Sequence, residues 1–305
     1  MNVAIFNGFH FHFEMFGYII HYCRSRNFKL TIYLIKGRDE GYVEFYNTLF
    51  HNYVIEYKML TEFSIEKHKY DIIFLTTDDD YNFDRSDNSI NNKTICIDHY
   101  YIIRSPIFLK RVATRPFNQD YYRNWALPTY PVLNSTIKQS SIQNDKTVIV
   151  LLGHSPLNYN VNVINRLRSN KKIVIQAISR DINMDRFNGL DSSIDIVIHN
   201  NIDALTLFNI LKSASYVITD LSECKNYTSE IMSGSVPISF STLTPLIISK
   251  ESNSYYKFKN ALLFDKNSNE PILLNDIDIK LLEEERDEMI NRNHELFDSF
   301  ISFRE

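Results

Sequence analysis

At 305 residues the chain exceeds the usual size of one hydrophobic core, so two domains of roughly 130–150 residues each are expected. A content of 44% hydrophobic and 13% aromatic residues excludes a disordered or fibrous chain. The net charge of −4 gives no electrostatic reason to expect a nucleic-acid partner, and the three scattered cysteines, Cys23, Cys96 and Cys224, argue against a disulfide framework or a cysteine zinc site.

The first residues, MNVAIF, carry neither a basic leader nor a cleavage pattern, and no apolar run reaches the ~18 residues of a membrane span. A soluble, cytoplasmic protein in a reducing compartment is the expectation. NVAIF (2–6) reads as a strand, followed by a loop and an amphipathic helix ending near Arg26. KLTIYLI (29–35), YVIEYK (53–58), DIIFLTT (71–77) and TICIDH (94–99) are further strands, several of them apolar on both faces. Two-sided burial implies a parallel sheet covered by helices. Residues 116–146, rich in proline and then in Ser, Asn and Gln, have the composition of a linker.

Strands and helices then alternate again. TVIVLL (147–152), KIVIQAIS (172–179), DIVIH (195–199), YVITD (216–220) and VPISF (236–240) read as strands, with helices around 159–169, 203–213 and 226–233. The charged segment from Asp276 to Phe303 has apolar residues at helical spacing and reads as a long amphipathic helix. The expected domains are 1–135 and 136–275, with 276–305 as a terminal helix placed to pack on the first domain.

In an open parallel sheet, ligands bind beyond the carboxyl ends of the strands. In the second half those positions hold Gly153, His154, Ser155, Arg180, Asn200, Asn201, Ile202, Asp220 and Ser222. Gly153 permits close backbone approach, and helix starts after these strands offer N–H groups to a phosphate. Glu230 can accept both hydrogen bonds of a ribose diol, or can be an ordinary solvated helix residue.

The run from Ile194 to Ser241 resembles the nucleotide-binding half of GT-B glycosyltransferases, especially those transferring N-acetylglucosamine to lipid-linked muramyl peptide. The resemblance lies in a base-reading turn, a strand of the form aD-x-v-I-t, a Ser/Gly loop and the pattern T-x-x-E-x-x-x-x-G-x-P. It implies that Asn200, Asn201 and Ile202 meet the base, and that Ala214, Tyr216 and Ile218 surround the strand. Ser222, Thr228, Ser229 and Glu230 would then hold phosphate and ribose, with Pro237 opening the last strand. Three features depart from the family: Ser235 stands at the glycine position, the loop after Asp220 has no glycine, and no Arg or Lys follows TVIVLL. Glu223 and Glu230 are also one residue too close for the glutamate pair of retaining members, which favours inversion.

The resemblance implies an α/β fold of two Rossmann-like domains facing each other across a cleft, with the donor on the second and the acceptor on the first. The first domain must then supply a base. His10, His12 and Glu14 follow the first strand, and imidazole titrates nearest neutrality, which favours His12. His99 and Asp78 in the run Asp78-Asp79-Asp80 are further candidates at strand ends. Adjacent carboxylates also occur as solvated loops, and FHFHFEM reads equally as alternating burial. Arg104, Lys110, Arg111 and Arg115 are basic groups for an acidic acceptor or the donor phosphates, or plain surface charge, and Trp125 is a stacking or packing residue.

The function expected is transfer of a hexose or N-acetylhexosamine from a UDP- or GDP-type sugar to the hydroxyl of a glycan, lipid-linked or protein acceptor. It would be inverting, with no cofactor and no divalent metal. Two alternatives share the fold: a non-hydrolysing nucleotide-sugar epimerase, and an inactive scaffold that binds glycans or partners.

Overall fold

Strands apolar on both faces are stable only between layers of helix, and the chain makes two such sandwiches. The computed structural model describes residues 1–9, 11–35, 37, 39–100, 103, 106–116, 124–142, 145–153, 159–221 and 233–302. One unit comprises Met1–Tyr130 with Met289–Glu305, the other Pro131–Glu288.

In the first unit the elements are β1 (Asn2–Phe6), α1 (Phe16–Ser25), β2 (Lys29–Leu34), α2 (Tyr42–Leu49), β3 (Ile55–Met59), α3 (Leu60–Glu66), β4 (Ile72–Leu75), α4 (Asn88–Asn91), β5 (Thr94–Asp98) and β6 (Lys110–Ala113). All six strands are parallel, in the order β3-β2-β1-β4-β5-β6. Ile5 lies opposite Ile32 on one side and Phe74 on the other, all three fully buried.

The second unit contains α5 (Ser135–Ser141), β7 (Lys146–Leu152), α6 (Val161–Ile164), β8 (Leu167–Arg168), β9 (Lys172–Ser179), β10 (Asp195–Asn200), α7 (Ala204–Ser213), β11 (Tyr216–Ile218), α8 (Ser235–Ser241), β12 (Leu246–Ser249), α9 (Lys250–Tyr256), β13 (Leu262–Phe264) and β14 (Ile272–Leu273). Its main sheet is again six parallel strands, β10-β9-β7-β11-β12-β13, so the same winding occurs twice. The terminal helix α10 (Ile279–Ser302) is a single 24-residue element. Its last turns belong to the first unit, where Phe297 packs its ring against Tyr18, Tyr22 and Phe74. Tyr22 also donates its hydroxyl proton to Asp298 at 2.7 Å.

Three expectations are corrected. VPISF is not a strand but part of helix α8, whose seven residues are all buried. Pro237 sits in the first turn, where its missing N–H has no intrahelical partner. The Ser241 and Thr242 hydroxyls donate back to the carbonyls of Pro237 and Ile238, both at 2.8 Å. The strand comes later, as β12, so Pro245 and not Pro237 opens it. A short apolar run buried on all sides has no periodicity with which to choose between helix and strand. The helix expected over 159–169 is only the single turn α6, because Leu167 and Arg168 leave it to pair with β14.

The linker-like segment also contains structure. Asn134 caps α5 by accepting from the Ile137 N–H at 2.9 Å, and Lys138 on that helix is fully buried. Its ammonium donates to the carbonyls of Leu211 and Ala214, both at 2.6 Å, and to Thr244 Oγ1 at 2.9 Å. A cation thus closes the carboxyl end of α7, where helix carbonyls lack partners. Burial pushes the Lys138 amine down to about 7. Lys138→Met should therefore lower stability to urea by about 2–4 kcal/mol, as expected for buried carbonyls left without a charged donor. An unchanged urea midpoint would mean that this contact carries no net stabilisation.

Candidate functional site

Each sheet places its first and fourth strands side by side, and from that pair the chain departs toward opposite flanks. In the first unit the pair is β1 and β4. The loop after β1 is held by Asn7, fully buried, whose amide donates to the carbonyls of Phe9 at 3.2 Å and Phe11 at 2.9 Å. Thr76, just after β4, donates its hydroxyl proton to Asn7 Oδ1 at 2.8 Å. The buried Asp80 accepts the Gly8 N–H at 2.5 Å, and Asn82 donates to the Gly8 carbonyl at 3.0 Å. A Cβ at Gly8 would lie 2.3 Å from Asp80 Oδ1, so any larger residue there would displace the Asp80 and Asn82 side chains of the clamp.

The clamp delivers His12 in a left-handed conformation, φ 71°, at the start of a 3-10 turn over Phe13–Met15. Such a backbone costs about 1–3 kcal/mol outside glycine and is held only where surrounding contacts fix it. His12 Nδ1 lies 3.7 Å from Glu14 Oε1, with the two side chains 18% and 34% exposed. Burial works against ionisation of Glu14, and the neighbouring His12 outweighs it, holding the carboxyl below its ordinary value. The His12 ring stacks on His99, centroids 4.0 Å apart.

His99, at the end of β5, is 7% exposed with Nε2 2.7 Å from the Thr76 carbonyl. A carbonyl accepts only, so Nε2 carries the proton. Burial, reinforced by His12, drives the His99 pKa down to about 3. His99 is thus a neutral plate beneath His12, while His12 keeps access to solvent.

Asp78 is held elsewhere. Its Oδ2 accepts from Arg111 Nη2 at 2.7 Å, and the same guanidinium grips Asp98 through Nε at 2.9 Å and Nη2 at 2.5 Å. Burial nevertheless pushes Asp98 up, to about 7. Ligand atoms of Asp78, Cys96 and Asp98 lie within 4.8 Å of one another, a spacing compatible with a metal ion. Two observations oppose that use: Arg111 already supplies the positive charge, and burial raises the Cys96 thiol well above its ordinary value. Arg115 is fully buried and Lys110 and Arg111 lie on β6, so these are not surface charges as a group. Trp125 carries the Arg292 guanidinium 3.6 Å from its ring centroid. His10 and Arg104 lie outside the described residues.

In the second unit the corresponding pair is β7 and β11. Gly153 follows β7 with φ 111°, and among the described residues nothing lies within 4 Å of a Cβ built there. Asp220 follows β11 in a left-handed conformation, φ 65°. Its Oδ2 accepts from the Ser249 hydroxyl at 2.7 Å, and Ser249 in turn caps α9. Tyr159 donates to the Gly153 carbonyl at 3.0 Å, and the Asn160 N–H donates to Leu221 at 2.8 Å, tying the β7 and β11 loops together. Arg180 and Asn201 are exposed at the ends of β9 and β10, and Ile202 is partly buried. The Asn200 amide exchanges two hydrogen bonds with the Ile182 backbone, both at 3.0 Å, and so braces the β9 loop. His154, Ser155, Ser222, Glu223, Thr228, Ser229 and Glu230 lie outside the described residues.

The correction at α8 shifts the proline-anchored pattern. Counted back from Pro245, the glycine position falls on Leu243, which adopts the left-handed φ of 51° that glycine favours. The threonine position falls on Ser235, whose hydroxyl reaches the Leu152 carbonyl at 3.4 Å, and the glutamate position falls on the buried Ile238. In this register α8 offers no carboxylate to a ribose.

No protein-family model matches the sequence, and no curated protein matches it. Solved structures do match the fold. AviGT4, a glycosyltransferase involved in avilamycin A biosynthesis, matches over 99% of this chain and 98% of its own, with TM-score 0.61 and 8% identity. The Anabaena protein HepE, solved in complex with UDP-glucose, matches over 99% and 100%, with TM-score 0.59 and 9% identity. An alpha-glucosyltransferase in complex with UDP and a DNA oligomer matches over 99% and 95%, with TM-score 0.53 and 10% identity. The chain therefore has the GT-B fold; identities this low establish architecture and leave activity to the site.

Two outcomes follow from the first unit. His99 should appear in imidazole NMR spectra as the neutral Nε2–H form at pH 5, where an ordinary histidine, with a pKa of about 6.5, is mostly protonated. Its folded pKa lies below its unfolded value, so its contribution to stability is complete above about pH 6.5 and is lost as pH falls toward 3. A His99 that protonates near pH 6.5 would contradict the buried plate. Arg111→Met should cost about 3–5 kcal/mol, because it strands two buried carboxylates; a loss below 1 kcal/mol would show that the pair is solvated.

Proposed function

We propose that this chain is a glycosyltransferase that moves a hexosyl or N-acetylhexosaminyl group from a nucleoside-diphosphate sugar to an acceptor hydroxyl, with inversion. The observation that carries this reading is the His12–Glu14 pair, held on a left-handed turn at the carboxyl end of β1. An imidazole with one nitrogen facing a carboxylate is the arrangement of a general base. The GT-B fold supports the donor half of the reading, and the complex of HepE with UDP-glucose makes uridine donors the first to try.

With Nδ1 directed at Glu14, the base is His12 Nε2. It takes the proton of the acceptor hydroxyl as that oxygen bonds to the anomeric carbon. The bond from that carbon to the diphosphate breaks on the opposite side, and its electron pair leaves with the diphosphate. Glu14, held ionised, stabilises the imidazolium that results. The second unit binds the nucleotide at the ends of β7 and β11, where Gly153 leaves room for a phosphate against the backbone. N–H groups of those loops meet the charge on the leaving group, with no divalent metal required. Because α8 itself offers no carboxylate, the ribose is assigned to Glu230, which precedes that helix in sequence. The buried free thiols of Cys23 and Cys96 suit a reducing, cytoplasmic setting, where such donors are available.

Calorimetry with UDP, GDP and their sugars tests the donor half. Wild type should bind at least one nucleotide saturably, and Glu230→Ala should weaken it by about 1–3 kcal/mol, the scale of a charged hydrogen bond. His12→Ala should leave that affinity unchanged and slow nucleoside-diphosphate release by about 10²–10⁴-fold. A folded wild type that binds no nucleotide would overturn the proposal.

A further inference from the structure

Beyond His12, the first unit carries an unbroken file of rings. His99 stacks under His12, centroids 4.0 Å apart, and the His12 ring meets Phe11 at 4.5 Å. Phe11 stacks on Phe9 at 4.8 Å with planes 16° apart, and Phe9 meets Tyr81 edge to face at 5.7 Å. The file runs from a buried end, His99 at 7% exposure, to an open one, Tyr81 at 77%.

Three features distinguish this file from accidental surface aromatics. Its two loops are fixed, because Asp80 and Asn82 bind Gly8 and Asn7 holds the carbonyls of Phe9 and Phe11. Tyr81 lies between two of those anchors, Asp80 and Asn82, so its exposed position is imposed rather than incidental. Next to the buried His99, the file reaches His12, the imidazole assigned to proton transfer.

The chemistry of the surroundings selects the occupant. Asp79, which accepts the Thr77 hydroxyl at 2.5 Å, and Glu14 line the same loops and repel phosphate, so a nucleotide is disfavoured. Asp79 and Asn82, on the same loop as Tyr81, are carboxylate and amide groups that an acyl chain would leave unsatisfied. A pyranose fits both demands, with a C–H face for the rings and hydroxyl edges for Asp79 and Asn82.

We infer that Tyr81, Phe9 and Phe11 form the acceptor subsite and that the acceptor is a saccharide, whose sugar rings lie along the file so that the unit at its inner end presents a hydroxyl to His12. This rests on the transferase reading, in which His12 takes that hydroxyl's proton. Neither a free glycan nor a lipid-linked one is excluded by the ring chemistry, since both present the same sugar face.

Protein labelled with 13C in its aromatic rings would be titrated with methyl glycosides of glucose, galactose and N-acetylglucosamine, and with octyl β-glucoside below its micelle concentration. Saturable shifts of the Tyr81 and Phe9 ring signals with at least one methyl glycoside are expected. Tyr81→Ala should weaken that binding about tenfold, the equivalent of about 1.4 kcal/mol, while Tyr81→Phe, which keeps the ring face, should stay within about twofold. Tighter binding of the octyl than of the methyl glucoside, through the same rings, would identify a lipid-linked sugar as the source.

Response to the octyl compound alone, binding indifferent to Tyr81→Ala in a folded protein, or no response to any glycoside would each overturn the subsite. Nucleotide binding measured on the same sample separates the two readings. If it persists without any glycoside response, the acceptor assignment alone fails; if it too is absent, the transferase reading fails.

Discussion

A parallel strand cannot be reached from its neighbour without a crossover, and right-handed crossovers bring every strand of one sheet to the same carboxyl edge. The rest of the structure depends on that constraint. With the order third, second, first, fourth, fifth, sixth, one strand pair in each unit has connections that leave toward opposite flanks, so a crevice opens at its end. At β1 and β4 it holds His12, Glu14, Asn7, Thr76 and Asp80; at β7 and β11 it holds Gly153 and Asp220. Neither set is contiguous in sequence.

The two crevices differ in what they stabilise. The first is acidic and aromatic, with a buried neutral His99, an ionised Glu14 and an Arg111 committed to Asp78 and Asp98. It suits a neutral polar ligand and the movement of one proton. The second has a glycine at φ 111°, and Asp220, a carboxylate among its described residues, is occupied by Ser249. It suits an anion. The proposed assignment of acceptor and donor to the two halves rests on this difference in local charge.

Much of the architecture was legible because β1, β2, β4, β5, β7, β9, β10 and β11 are short apolar runs, most of them buried on both faces. β6 was hidden because it opens with Lys110 and Arg111, charges that belong in a sheet only when the register brings Arg111 to Asp98, thirteen residues away in sequence. α5 was hidden by its Ser and Gln content, and nothing local marks Lys138 as the buried cap of α7. β12 was overlooked because VPISF competes with it; Pro245 before Leu246-Ile247-Ile248 was the available signal. Reading the strand ends located His12 and His99, but not that they stack, since that depends on how the β1 and β5 loops meet. Asp78 lay at the right edge, yet its ion pair could be recognised only once β6 was placed.

The most direct measurement is hydrogen exchange of the intact protein with and without a saturating nucleoside-diphosphate sugar. The account predicts protection of backbone amides after β7, β9, β10 and β11, around Gly153, Arg180, Asn201 and Leu221, with the amino ends of the same strands unchanged. Protection confined to the β1 and β4 loops, or none along the second sheet's carboxyl edge, would contradict the assignment of donor and acceptor to their respective units.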